Sequence, residues 1–429
     1  MADWLRCDKG KLEEMSKDTK KYDVIIIGAG PAGITAALFA KKQGRSVLLL
    51  DKDSFPREKI CGDGLSTRTL VILKELGLYE KFLADCPVNK IDGVIFSAPN
   101  GTILPINYKN LGRTQGVEGY TLNRIYFDNF LINEAREAGI EVLENFEAKK
   151  FLLNSKNEVS GVITNKKDSK KDIDFEAKIV VCACGIFPRI LKSVNYAHPS
   201  GKKCVVGIRR HFKQVDCVGN MIEMHFVKSI VEGYFWIFPE ANDIANVGFI
   251  IPDKIRRKRK INLEKELENI ISSPRFSDRF KIAEPLTEPS AAYLNLGGTK
   301  VFPPKGGLLI IGDAMGLTEH FTGEGVGNAM FSAQKAAQVI EAAFENGNFG
   351  ARTMAMFHKI CVKPLLREFR VSAIVNKMKS VWLLNFVIGI AAQNSETMEK
   401  IAAAVASQKE RKRLLNPIFY LKLLLRRKK

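Results

Sequence analysis

The first strongly patterned segment begins at Tyr22, where a polar start gives way to Val24-Ile25-Ile26-Ile27, a β-rich apolar run. A glycine turn follows, and then Ile34 to Lys42, whose alanines and apolar spacing predict a helix. Ser46 to Leu50 is a second apolar run, ending at Asp51. The order is strand, turn, helix, strand. Much later, Gly307 to Ala314 reads as a buried strand ending in Gly-Asp, followed by a turn, Thr322 to Val326, and a helix of small residues, Gly327 to Ala337. Between these ends lie short β-prone runs, Gly93 to Ser97 and Val205 to His211, which predict an antiparallel sheet. In Gly233 to Pro239, Tyr234, Trp236 and Phe238 alternate, so a strand there sets all three on one face. From Ala351 onward the pattern is helical.

At 429 residues with 46% hydrophobic content, the chain is long enough for two or three folded domains. Its eight cysteines have neither zinc-site nor disulfide spacing. Residues 1–21 lack the apolar run of a secretory signal, so a reduced, cytoplasmic setting is expected, with no metal. The net charge of +19 points to anionic partners. No nucleic-acid motif accompanies it, which leaves an anionic membrane surface. Val381 to Ala392, interrupted by Asn385, is shorter than the roughly 20 residues that span a bilayer.

The turn Gly28-Ala29-Gly30-Pro31-Ala32-Gly33 carries the first chemistry. Gly28 permits the tight turn, Gly30 lets a pyrophosphate approach backbone N–H groups, and Gly33 allows close helix packing. Asp51, at the end of the second strand, is placed to accept from an adenosine ribose. The pair Gly312-Asp313 resembles the flavoprotein motif whose aspartate contacts the ribityl chain, which favours FAD over NAD. The helix opening at Gly325-Val326 would turn its positive end to the flavin edge.

Phe55-Pro56-Arg57-Glu58-Lys59-Ile60-Cys61-Gly62-Asp63-Gly64-Leu65 narrows the reading further. It resembles the Pro-x-x-Lys-x-Cys-Gly signature of geranylgeranyl reductases, in the para-hydroxybenzoate hydroxylase-like flavoprotein superfamily. Gly233 to Pro239 is similar to that family's Tyr-x-Trp-x-Phe-Pro element lining the lipid cavity. The resemblance runs from about Tyr22 to about Ala343. It implies FAD contacts at Ala32, Asp51, Cys61, Gly62, Gly64, Arg124, Asp313, Gly325 and Val326, with Ala148 meeting the adenine. It also implies working roles for Cys61, Tyr234 and Trp236 beside the reacting centre. The family's Ala-Asp-Gly is here Ala183-Cys184-Gly185, and its Asn-Pro pair is here Glu319-His320, read as a loop substitution with a proton-donor role for His320 as the alternative.

The expected fold is therefore α/β: a Rossmann-like FAD-binding domain (22–85, 119–200 and 295–350) with an inserted antiparallel-sheet substrate domain (86–118 and 201–294). Residues 351–429 form a helical C-terminal region with a basic tail, in which Arg411-Lys412-Arg413 and Arg426-Arg427-Lys428-Lys429 flank an apolar stretch able to lie on anionic lipid. The implied activity is FAD-dependent reduction of C=C bonds in an isoprenoid chain or prenylated lipid. With a single dinucleotide fingerprint, NADPH or another reductant would bind transiently. Two rivals stay open: a flavin monooxygenase or halogenase on the same fold, and a membrane-associated flavin-binding protein without turnover.

Overall fold

The computed structural model describes residues 20–108, 118–169, 171–186, 188–196, 204–217, 219–297, 302–377 and 379–406. The strand Lys21–Ile27 lies at the centre of a mixed sheet, paired in parallel with Val47–Leu50 on one side and Asp172–Cys182 on the other. Its run of branched side chains is buried on both faces because helices cover the sheet, as parallel strands require. Glu141–Leu143 extends the parallel part beyond Val47–Leu50, and Leu308–Ile310 joins it at the end of Asp172–Cys182. Phe146–Leu153 and Val159–Lys166 complete it as antiparallel strands.

The helix after the glycine turn runs from Pro31 to Lys42, beginning three residues before the apolar pattern. Proline fits its first position, where the missing N–H costs nothing. It packs against the long helix Val326–Glu345, and both bury small residues along that contact. The apolar run at Gly307 to Ala314 is a shorter strand than its composition suggests. Gly312 at φ 60° ends it and starts a 3-10 turn, Gly312–Met315.

A second sheet has the order Glu284–Pro285, Cys204–Lys213, Ile244–Pro252, Tyr234–Glu240, Met221–His225, Gly93–Ser97, Ile103–Asn107, with Ser290–Asn295 also paired to Cys204–Lys213. It is antiparallel as expected, except that Met221–His225 runs parallel to Gly93–Ser97. Those two strands arrive from separate passages of the chain, so no hairpin forces them into opposition. One face packs Phe235, Ile237 and Phe249 against the helix Leu263–Ile271. The other carries Tyr234 and Trp236, and the helices Val381–Gln393 and Ser395–Ala406 pack on it at the Ile103–Asn107 edge. Among the described residues, no single helix is long and apolar enough to cross a membrane. The basic clusters at 411–413 and 426–429 lie outside the described residues.

Candidate active site

The glycine turn is sterically closed except where a ligand would approach. A Cβ on Gly33 would stand 1.8 Å from the Gly28 carbonyl oxygen, and one on Gly28 would stand 2.5 Å from the Ala183 carbonyl oxygen. Gly28 also adopts φ 103°, a conformation that side chains rarely permit. Gly30 differs: its Cβ would meet only Arg57 Nη2, at 3.8 Å. No side chain caps the helix that starts there. Arg57 lies between Asp51 and Asp128, 3.8 Å from each, and its buried Nε has no partner. Asp51 accepts from the Ala29 N–H at 2.6 Å and the Asp53 N–H at 3.0 Å.

The two ends of the sequence meet at this turn. A Cβ on Gly312 would stand 3.0 Å from the Ala32 methyl. Asp313 accepts from the Thr318 hydroxyl at 3.2 Å and faces Gly325, at the start of Val326–Glu345, where again no side chain caps the helix. Ser66 donates to Glu324 and Arg68 to Asn328, tying the chain after the cysteine loop to this same helix.

The cysteine loop lies on the aromatic stripe. Positions for a Cβ on Gly62 and Gly64 fall 3.6 Å and 3.7 Å from the Phe238 ring. Tyr234, Trp236 and Phe238 do share a face, with successive ring centroids 6.1 Å and 6.2 Å apart. Trp236 donates to Asn246 at 2.9 Å, and Asn246 donates to the Cys61 carbonyl at 2.9 Å and to Asp63 at 2.5 Å. The Tyr234 hydroxyl donates to the Thr322 carbonyl at 2.5 Å, linking the stripe to the turn before Val326–Glu345. Burial and the neighbouring Asp63 push the Cys61 thiol up, outweighing Arg124. Arg124 opens its helix as expected and holds Asp128 with two bonds of 2.7 Å and 2.8 Å.

A sequence profile described as an FAD binding domain matches residues 21–362. The chain is 30% identical over 353 residues, 80% of its own length and 82% of the relative's, to digeranylgeranylglycerophospholipid reductase 1 of Methanothermobacter thermautotrophicus. It is 27% identical over 387 residues to conditioned medium factor receptor 1 of Dictyostelium discoideum, covering 88% of this chain and 74% of the relative. Among solved structures, a geranylgeranyl bacteriochlorophyll reductase-like protein of Thermoplasma acidophilum superimposes with a TM-score of 0.77 at 24% identity, covering 92% of this chain and 99% of that one. The chain belongs to the geranylgeranyl reductase family of FAD-binding proteins.

As a member of that family it is an FAD-dependent oxidoreductase. The cradle fits the cofactor: two uncapped helix N-termini, an open approach at Gly30 and a cation with an unsatisfied buried nitrogen suit a pyrophosphate. Gly28, Gly30, Ala32, Gly33, Asp51, Gly312, Asp313, Gly325 and Val326 all gather around it. Ala148 is less central, lying in the strand Phe146–Leu153 opposite Thr164, two residues beyond the Phe146 N–H that binds Asp51. Where the family carries an aspartate, the Cys184 thiol donates to the Ile27 carbonyl at 3.5 Å, beside Cys182. His320 bonds the Gly297 carbonyl at 2.6 Å, and Glu319 accepts from the N–H groups of Phe321 and Thr322.

Sequence reasoning missed Arg57 and Asp63, because Arg57 fills a variable position of the signature and Asp63 stands one residue beyond its end. Asp63 is fully buried at φ 63° and accepts from the Arg124 N–H at 3.2 Å, from His211 Nε2 at 3.1 Å and from Asn246. It thus clamps the cysteine loop to the second sheet. Glu240 stands 3.4 Å from the same His211 nitrogen and is held above the usual carboxylate range by burial, against the pull of His211. The ligand atoms of Asp63, His211 and Glu240 lie within 4.8 Å of one another. Arg209 stands 3.1 Å from His211 Nδ1, on the other side of the ring from the two carboxylates.

Burial opposes charge on His211, but Asp63 and Glu240 outweigh it and push its pKa up to about 9, from an ordinary 6.5. Arg209 pulls the other way, since only the neutral ring can accept its N–H. A folded-state pKa above the unfolded value contributes stability that is complete below pH 6.5 and is lost as pH rises through 9. The thermal midpoint is therefore expected to fall across this window, and His211→Gln to flatten the fall. Equal slopes in the two proteins, measured by calorimetry, would remove His211 from the account.

Proposed function

We propose that this chain saturates carbon–carbon double bonds in the isoprenoid chain of a lipid. The observation that carries the reading is the aromatic face of Tyr234, Trp236 and Phe238, which lies directly under the Cys61-Gly62 loop and is bonded to the turn before Val326–Glu345. An apolar chain laid on that face would pass close to the cofactor. The relatives named as reductases of geranylgeranyl lipids support the same substrate class.

In this reading Gly28, Gly30, Ala32 and Gly33 hold the pyrophosphate, with Arg57 and Arg124 supplying positive charge. Asp51 orients the adenosine ribose, Ala148 borders the adenine, and Asp313 holds the ribityl chain. Gly312 lets that segment pack on Ala32. Cys61, Gly62 and Gly64 bracket the ring from one side, Gly325 and Val326 from the other. When bound, reduced FAD supplies the hydride. The protein positions the alkene through Tyr234 and Trp236, with the cysteine loop and the turn before Val326–Glu345 shielding that face from water. The first sheet and its helices form the FAD-binding domain, and the second sheet the substrate domain.

NADPH or another reductant is proposed as a transient donor. The protein is proposed to be cytoplasmic and peripheral at the membrane, held by its basic C-terminal segment. The monooxygenase reading has less support, since Lys59-Ile60-Cys61-Gly62 stands where halogenases carry a Gly-Glu-Ser element. Incubation with dithionite and a geranylgeranylated glycerophospholipid tests the proposal: product mass is expected to rise by about two units per bond reduced. Unchanged lipid mass, with flavin bound throughout, would overturn the proposal; reoxidation only on admitting oxygen would then favour the monooxygenase, and no reoxidation by lipid or oxygen a flavin-binding protein without turnover.

Cys61 is half-buried on the cofactor-side loop, and its thiol is held protonated. Cys61→Ala is expected to retain FAD while lowering lipid reduction several-fold, read from flavin absorbance and product mass together. Kinetics identical to the unmodified protein would remove Cys61 from the working residues.

A further inference from the structure

Lys379 follows the helix Lys363–Lys377 and precedes Val381–Gln393, beyond the segment matched by the family profile. Its ammonium lies 5.3 Å from the Phe226 ring centroid, 5.7 Å from that of Tyr234 and 5.1 Å from that of Phe321. Together with Tyr234, Ile250, Phe321 and Gly323 it lines a pocket. Gly323 belongs to the turn that receives the Tyr234 hydroxyl, so the ammonium stands where the aromatic face meets the cofactor-side turn.

Saturating an alkene needs a proton as well as a hydride, and the other titratable groups here are poorly suited to give one. Burial pushes the Tyr234 phenol and the Cys61 thiol up, so both hold their protons. Glu319 accepts two backbone N–H groups and the Thr322 hydroxyl through one oxygen, the arrangement of an ionised carboxylate. His320 is bonded to the Gly297 carbonyl, and Glu232, also on the pocket, is paired with Arg259. Lys379 remains.

We propose that Lys379 is the catalytic acid, giving its proton to the alkene carbon next to the one that receives the hydride. This rests on the reductase reading above. Two C–H bonds form and one π bond breaks. The lipid gains two electrons, which reduced FAD gives up, and the neutral amine regains its proton from water. Burial among the rings holds the Lys379 pKa down at about 8, with Glu319 opposing, so the proton is present at neutral pH yet readily given.

Two measurements test the assignment. Competitive acetylation of the FAD-bound protein between pH 6 and 10, followed by peptide mass spectrometry, is expected to show Lys379 half-reactive near pH 8. Reactivity rising only near pH 10.5, as for surface lysines, would overturn it. Anaerobically, Lys379→Met is expected to keep FAD and accept electrons from dithionite, yet be reoxidised by a geranylgeranyl lipid at least about 100-fold more slowly. Lys379→Arg, which keeps the charge in the cage but does not release a proton, is expected to be as slow. Reoxidation of Lys379→Arg at the unmodified rate would show that charge alone suffices and would sink the proposal. If the unmodified protein is itself never reoxidised by lipid, the reductase reading fails and this assignment goes with it, an outcome distinct from fast variants beside a fast parent.

Discussion

Gly33→Ala is expected to yield a protein that purifies nearly free of FAD. The added methyl would stand 1.8 Å from the Gly28 carbonyl oxygen and 3.3 Å from an Ile26 methyl. Neither neighbour can yield, because Gly28 is itself pinned at φ 103° against Ala183, and Ile26 is fully buried in the central strand. The helix Pro31–Lys42 must back away from the strand, and its N-terminal N–H groups leave the place where a pyrophosphate would bind. Strain of about 3 kcal/mol, typical of a forced backbone change, corresponds to FAD binding at least about 100-fold weaker. Flavin absorbance per mole of protein after gel filtration reads the effect. Gly30→Ala, which meets only Arg57, separates blocked approach from broken packing: it should keep the unfolding midpoint while losing affinity. A full complement of FAD in Gly33→Ala would contradict the assigned turn.

Asp63→Ala carries the second large effect. The carboxylate receives hydrogen bonds from the Arg124 backbone, His211 and Asn246, and none of these donors has water to turn to. Removing one partner of a buried charged network costs about 3–5 kcal/mol, because the others are left uncompensated. Alanine at φ 63° adds strain that aspartate or asparagine tolerates better. Asp63→Asn should therefore lose less, keeping the turn but not the charge opposite His211. Denaturant unfolding with FAD present measures both, and a loss below about 0.5 kcal/mol, within the range of an ordinary surface change, would refute the clamp.

The cofactor half of the site was legible in the sequence because its demands are local. Gly28, Gly30 and Gly33 answer to a turn six residues long, which their spacing exposes, and Gly312-Asp313 to a strand end that resembles a flavoprotein motif. The alternation of Tyr234, Trp236 and Phe238 likewise follows from the period of a strand. What joins these pieces was not legible. Asp63, His211 and Asn246 come from three segments that only the folded sheet brings together, and a histidine in an apolar strand gives no signal of its partner. Arg57 was visible as a letter in the signature, but its position over Gly30 depends on how the loop returns. Lys379 sits among ordinary helical lysines, and its aromatic cage is assembled from Phe226, Tyr234 and Phe321, far apart in the chain. The parallel strand pair Gly93–Ser97 and Met221–His225 was hidden for the same reason: strand direction is a property of the connection, not of the strand.

The central claim is that electrons leave this flavoprotein for an isoprenoid double bond. It is tested most directly by reducing the FAD-bound protein with dithionite under strict anaerobiosis, mixing it with a geranylgeranyl lipid, and following flavin absorbance in a stopped-flow instrument. The account predicts reoxidation in proportion to lipid added, with a saturated product. A flavin that stays reduced with lipid and reoxidises only when oxygen is admitted would contradict it.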